Sequence, residues 1–193
     1  NEQVLTLRAQ VDDLLNRTNT LQLSLNEPPE PTGPIGPGFD LFMLIEEMPG
    51  ESTATKHMGW IEVLSFRHEV SQPTPPSPID GIPEHQDFTI YKHIDKSSPK
   101  LFLYVNTGES IPEARLELSR NGTTVMVYIL KDVLVTSLRL RHIEEVTLGS
   151  FEPIEEVSFA YSQILLEYTP VDEAGQPETP VTAGWNLVEN KRA

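Results

Sequence analysis

Apolar residues follow two different rhythms along this chain. Near its start, Val4, Leu7, Val11, Leu14, Leu21 and Leu25 recur at spacings of three and four, with Thr18 filling one place in the series. That is the a/d seam of a coiled coil, and it predicts an amphipathic helix over residues 1–27. Leu5, Leu15 and Leu23 lie off the seam, so the apolar face is wider than a pure zipper. The helix would extend roughly 35–40 Å at about 1.5 Å per residue. Isolated helices of this length are marginal in water, so this one needs cover from its own chain or from a neighbouring subunit. Residues 28–38, Pro-Pro-Glu-Pro-Thr-Gly-Pro-Ile-Gly-Pro-Gly, break the pattern. Proline removes donors and fixes φ, so neither a helix nor a central strand continues there, and an extended, semi-rigid linker is predicted.

From residue 39 to 193 the rhythm changes to that of strands. Leu41 to Ile45 is a continuous apolar run, consistent with a strand buried on both faces. A second strand is predicted near 60–70 and a third over about 87–94, with a proline-rich loop over 72–86 between them. Ser97-Ser98-Pro99 then opens a helix that Gly108 stops. A serine hydroxyl caps the first turn, and proline sits where its missing N–H costs nothing. Arg115 to Ser119 alternates cleanly, Asn121-Gly122 supplies a tight hairpin turn, and Val125 to Leu130 returns. Further strands are predicted at 132–141, 155–168 and near 182–189. One helix among many strands points to a barrel or sandwich with the helix laid on its side.

Composition narrows the function. The net charge of −15, from 29 acidic and 14 basic residues, argues against nucleic acid, whose phosphates need Lys and Arg. It also means that copies of the chain repel one another, so salt or cations should favour assembly. No apolar run approaches the roughly 18 residues of a membrane span. Cysteine is absent, which excludes disulfides and thiol chemistry. The first residue is Asn1; one reading is a mature, exported form from which a leader has been removed, the other a trimmed sequence.

Candidate chemistry is sparse. The five histidines, His57, His68, His85, His93 and His142, show no ligand spacing and read as ordinary surface or strand residues. Glu46-Glu47, Glu144-Glu145 and Glu155-Glu156 are adjacent acids that point to opposite strand faces, and they read as solvated charge. Trp60 and Trp185 read as core. There is no nucleophile elbow and no phosphate loop. No enzyme activity, metal or cofactor is expected.

Several stretches resemble the Hcp family, the tube proteins of bacterial type VI secretion. They are Phe39 to Ile45, Gly50-Glu51-Ser52, Trp60 to Val70, Phe88 to Leu103, Lys131 to Ser137, Val157 to Tyr168 and Gly184-Trp185-Asn186, in order. The resemblance implies a mainly β fold: a two-sheet β-barrel with one flanking α-helix, here preceded by the N-terminal amphipathic, coiled-coil-like helix. It implies hexameric rings that stack into a hollow tube, with a protruding first loop that reaches the next ring. On this chain that loop is 46–58, including Glu51, Ser52, Thr53 and Met58. The segment is polar and lacks an apolar face of its own, so an outside contact is expected to order it.

The chain departs from that family in its helix and linker over 1–38 and in a proline-rich rather than glycine-rich 72–86. The organisation expected is therefore a helix at 1–27, a linker at 28–38 and a barrel domain at 39–193. The helix, through Val4, Leu7, Val11, Leu14, Leu21 and Leu25, is expected to clamp a neighbouring subunit. Partners implied are the chain itself and secretion-system spike, sheath or effector proteins. The expected location is outside the cell, or the cytoplasm before secretion. The competing reading is a discrete secreted ring that binds cargo without polymerising.

Overall fold

The computed structural model describes residues 38–72, 82–144, 151–172 and 176–193. The helix and most of the linker expected over 1–38, and the prolines Pro73, Pro75, Pro76 and Pro78, lie outside the described residues.

The strands are β1 (Phe39–Ile45), β2 (Ile61–Arg67), β3 (Val70–Ser71), β4 (Glu84–His85) and β5 (Phe88–His93). One helix, α1 (Ser98–Thr107), follows. Then come β6 (Ile111–Arg120), β7 (Thr123–Glu144), β8 (Phe151–Ala160), β9 (Gln163–Tyr168), β10 (Val181–Asn186) and β11 (Lys191–Arg192). All pairings are antiparallel. The order β7-β6-β1-β2-β5-β8 closes on itself because β7 also pairs with β8. Closure removes the edges that an open sheet would expose. This is the mainly β barrel with one helix that the sequence predicts.

Interior positions follow strand alternation. Met43 and Ile45 of β1, Ile61 and Val63 of β2, Phe88 and Ile90 of β5, Leu116 of β6, Leu130 of β7, and Val157 and Phe159 of β8 form one core. Two predicted strands, 125–130 and 132–141, are a single 22-residue strand. It bends at Asp132, whose φ is 48°. Before the bend β7 pairs with β6 and β9; after it, Leu134 to Glu144 pair with β8. Conversely, the predicted strand 155–168 divides at Tyr161-Ser162 into β8 and β9. The turn at Asn121-Gly122 has φ values of 50° and 75°, the left-handed pair that a two-residue hairpin favours.

Helix α1 places Leu101 and Tyr104 in the core. Its start differs from expectation: Ser97 makes no side-chain cap. Asp95 Oδ1 instead accepts from the Ser97 N–H at 2.9 Å, just ahead of the helix. The Ser98 hydroxyl donates to Glu155 Oε2 at 2.7 Å and accepts from the Asp95 N–H at 3.1 Å. The stop is as predicted, with Gly108 left-handed and its N–H donating to Tyr104 O at 2.9 Å.

Candidate assembly surfaces

The segment between β1 and β2 is the region that the family resemblance assigns to ring stacking, and it is folded by its own chain. Gly50 N–H donates to Gly59 O, Ser52 N–H to Trp60 O and Gly59 N–H to Ser52 O, at 2.8, 3.0 and 2.8 Å. These bonds make a narrow hairpin-like neck. A Cβ on Gly50 would lie 2.2 Å from Trp60 O, so only glycine lets the two arms approach this closely. Met48 is buried beneath the neck.

The tip is held by His57. Its ring stacks on Phe42 with centroids 4.2 Å apart and planes 7° from parallel, while Trp60 meets it edge-on at 4.8 Å. Its Nε2–H donates to Glu117 Oε2 at 2.9 Å. Glu117 also accepts from Arg115 Nε at 2.7 Å and Thr124 Oγ1 at 2.9 Å. Burial pushes the Glu117 carboxyl up, but these hydrogen bonds outweigh it and leave the group below its ordinary value. The expectation that the loop needs an outside contact to be ordered is therefore corrected. The apolar surface it lacks in sequence is supplied by Phe42 on the outer face of β1.

Of the loop residues singled out, Glu51, Thr53 and Met58 are exposed, Met58 to 66%. Ser52 is buried, and its Oγ accepts from the Ala54 N–H at 3.2 Å. Ser52 thus shapes the loop rather than presenting a contact. Val4, Leu7, Val11, Leu14, Leu21 and Leu25 lie outside the described residues.

Among the described residues, two backbone edges of the nine-stranded sheet remain. Beyond the bend, Leu134 to Glu144 of β7 pair with β8 on one side, and no described strand lies on the other. On the outer side of β10, β11 covers only Trp185 and Asn186. Val181 there is exposed, as are Leu134 and Leu140.

Four further residues read as solvated or ordinary, Glu155, Glu156, His68 and His85, are structural. Glu155 and Glu156 are both buried, which corrects their reading as solvated charge. Glu155 Oε2 lies 2.8 Å from Nζ of the fully buried Lys92, which also reaches Asp95 Oδ1 at 2.8 Å. Glu156 accepts from Arg141 Nε at 2.7 Å. His68 Nε2 and His85 Nδ1 converge on the Tyr161 hydroxyl at 3.1 and 3.2 Å. Burial lowers both imidazoles, His85 adding to the effect on His68. Burial and the nearby Asp87 push Tyr161 up to about 12.

An open concavity of about 680 Å³ holds Glu46, Glu47, Glu109 and Glu113 together with Arg115 and Lys131. Its cations are engaged, Arg115 with Glu117 and Lys131 with Glu113. Among the described residues, no three His, Asp or Glu side chains are placed to hold a metal, and no helix is long and apolar enough to cross a membrane.

The architecture is that of a small closed barrel buttressed by one helix, with strand edges and an ordered loop as its main surface features. Residues 42–168 match the family described as "Type VI secretion system effector, Hcp", and the chain belongs to that family. Protein hcp1 of Pseudomonas aeruginosa is 29% identical over 163 residues, covering 80% of this chain and 98% of its own. A solved type six secretion system protein superposes with a TM-score of 0.72 at 28% identity, covering 80% of this chain and 99% of that one. Hcp1 from Salmonella typhimurium gives 0.67 at 26%, covering 81% and 99%.

Proposed function

We propose that this chain is a structural subunit that forms hexameric rings and stacks them into a hollow tube or filament outside the cytoplasm. The observation that carries this reading is two strand edges, at β7 beyond Leu134 and at β10 before Trp185, that no other described strand covers on an otherwise closed barrel of the Hcp family. A strand edge recruits another chain, and edges at β7 beyond Leu134 and at β10 let each copy offer two. In this reading the loop carrying Glu51, Thr53 and Met58 meets the next ring. The N-terminal seam of Val4, Leu7, Val11, Leu14, Leu21 and Leu25 clamps a neighbouring subunit, with the linker giving it reach. Spike, sheath or effector proteins are the other partners, and the role is structural rather than catalytic.

A discrete ring that binds cargo is the second reading. It is favoured by the loop's being ordered without a neighbour, since His57 already holds it on its own barrel. Negative-stain electron microscopy at low and physiological salt separates the two. Hollow tubes support the first reading. Rings of fixed mass at every concentration and salt support the second, and monomers alone overturn both. Deleting 1–38 tests the clamp: rings should persist while tubes shorten, and unchanged tubes would remove the clamp from the scheme.

A further inference from the structure

The loop between β1 and β2 spans a polar sequence with one buried side chain near its tip. Of residues 53–58, Thr53, Thr55, Lys56 and Met58 are exposed, Ala54 is half-buried, and His57 alone is buried. The slot that receives His57 comes from two neighbouring strands. Phe42 of β1 is paired in register with Glu117 of β6, so an aromatic floor and a carboxylate stand side by side on the barrel's outer face. The imidazole uses both, stacking on Phe42 and donating to Glu117, with Trp60 closing the third side. Glu117 is in turn fixed by Arg115 and Thr124. A second tie runs from Lys56 Nζ to Gly122 O at 2.8 Å, which lays the tip beside the β6–β7 turn.

We infer that His57 is the positioning residue of the stacking loop, locking its tip against the β6–β7 turn so that the two together form one preformed surface for the next ring. This rests on the reading that the loop makes the ring–ring contact. The physical reason is entropy. A free polar loop loses conformational freedom when it docks, and a loop already held by its own barrel has lost it before the encounter. His57 is suited to the task because the one ring supplies both a stacking face and an N–H for a buried carboxylate. Leucine would fill the slot but leave Glu117 one donor short, and glutamine would donate but not stack. Met58, next in the chain and directed outward, is then presented at a fixed place rather than by a mobile tip.

The test uses the full chain with His57→Gln and, separately, Glu117→Gln, beside Met58→Asp. Three readouts are taken: ring mass by native mass spectrometry, tube length by negative stain, and hydrogen exchange at the amides of Gly50, Ser52, Gly59 and Trp60. Those amides carry the loop's own bonds. For both Gln variants we expect intact rings, exchange at these amides accelerated about tenfold or more, and tubes much shortened. Met58→Asp should shorten tubes while leaving exchange unchanged. Unaltered exchange in His57→Gln would overturn the positioning role. Faster exchange with full-length tubes would show that loop order is irrelevant to stacking and would overturn the inference too. If Met58→Asp leaves tubes whole, or the unaltered chain forms none, the failure lies with the loop-stacking reading itself. The exchange data then still decide whether His57 orders the loop. Should either Gln variant lose its rings, the other carries the test, since one removes the ring that stacks on Phe42 and the other the carboxylate that the ring pairs with.

Discussion

Lys92 and Glu155 lie on the interior face of the barrel, in line with Phe88 and Ile90 on β5 and with Val157 and Phe159 on β8. Their charges are tolerable because Lys92 Nζ reaches two carboxylates, the His93 carbonyl at 2.7 Å and the Ser98 hydroxyl at 3.2 Å. Removing one member strands the others. Lys92→Met should cost about 3–5 kcal/mol in denaturant unfolding, and adding Glu155→Leu should recover part of it. Gly50 makes a second residue-scale case. Gly50→Ala forces a backbone oxygen aside and should lower stability by about 2 kcal/mol or more. The His68–Tyr161–His85 cluster gives a third. Both folded imidazoles titrate below the ordinary 6.5. Their contribution is therefore full above that value and is lost as pH falls through their lowered folded values. The Tyr161 hydroxyl can donate to one ring while accepting from the other, a pattern that two imidazolium rings cannot keep. Melting temperature should fall with acid below about pH 6.5, and His68→Gln with His85→Gln should flatten that fall.

At the scale of elements, turn chemistry and bends had different visibility. Asn121-Gly122 announces a hairpin because both residues must take positive φ, and they do. A Cβ on Gly122 meets nothing within 4 Å, so Gly122→Ala should cost only the conformational penalty, about 1 kcal/mol by thermal melting. That is a milder effect than at Gly50, where the obstacle is backbone. The bend in β7 was not legible. Asp132 carries φ 48° and its Oδ2 accepts from the Ser162 hydroxyl at 2.6 Å, a partner thirty residues away. A polar residue inside an apolar run reads locally as a break, and here it turns one strand from β6 and β9 toward β8 without ending it. The same blindness applied to the helix start, where the Ser98 hydroxyl binds Glu155 and the Asp95 N–H instead of capping the first helical turn.

For the whole molecule, charge and closure set the terms of association. A net charge of −15 on each copy makes ring formation and stacking self-repulsive. Tube yield should rise between low and physiological salt as the screening length drops to about 8 Å, a trend that light scattering against salt concentration reads directly. The strand rhythm, the helix after Ser97, its glycine stop, the hairpin turn and the family were legible in the sequence, because each depends on short-range order: periods of two, φ preferences and motifs in series. Its reading of the loop as polar was correct in composition and wrong in consequence. Folding alone brings Phe42 and Glu117 side by side to receive His57, sets Lys92 against Glu155 inside the barrel, and makes β7 join both ends of the closed sheet. His57 and Glu117 are 60 residues apart and Lys92 and Glu155 are 63, and no local pattern records which distant strand will supply a neighbour.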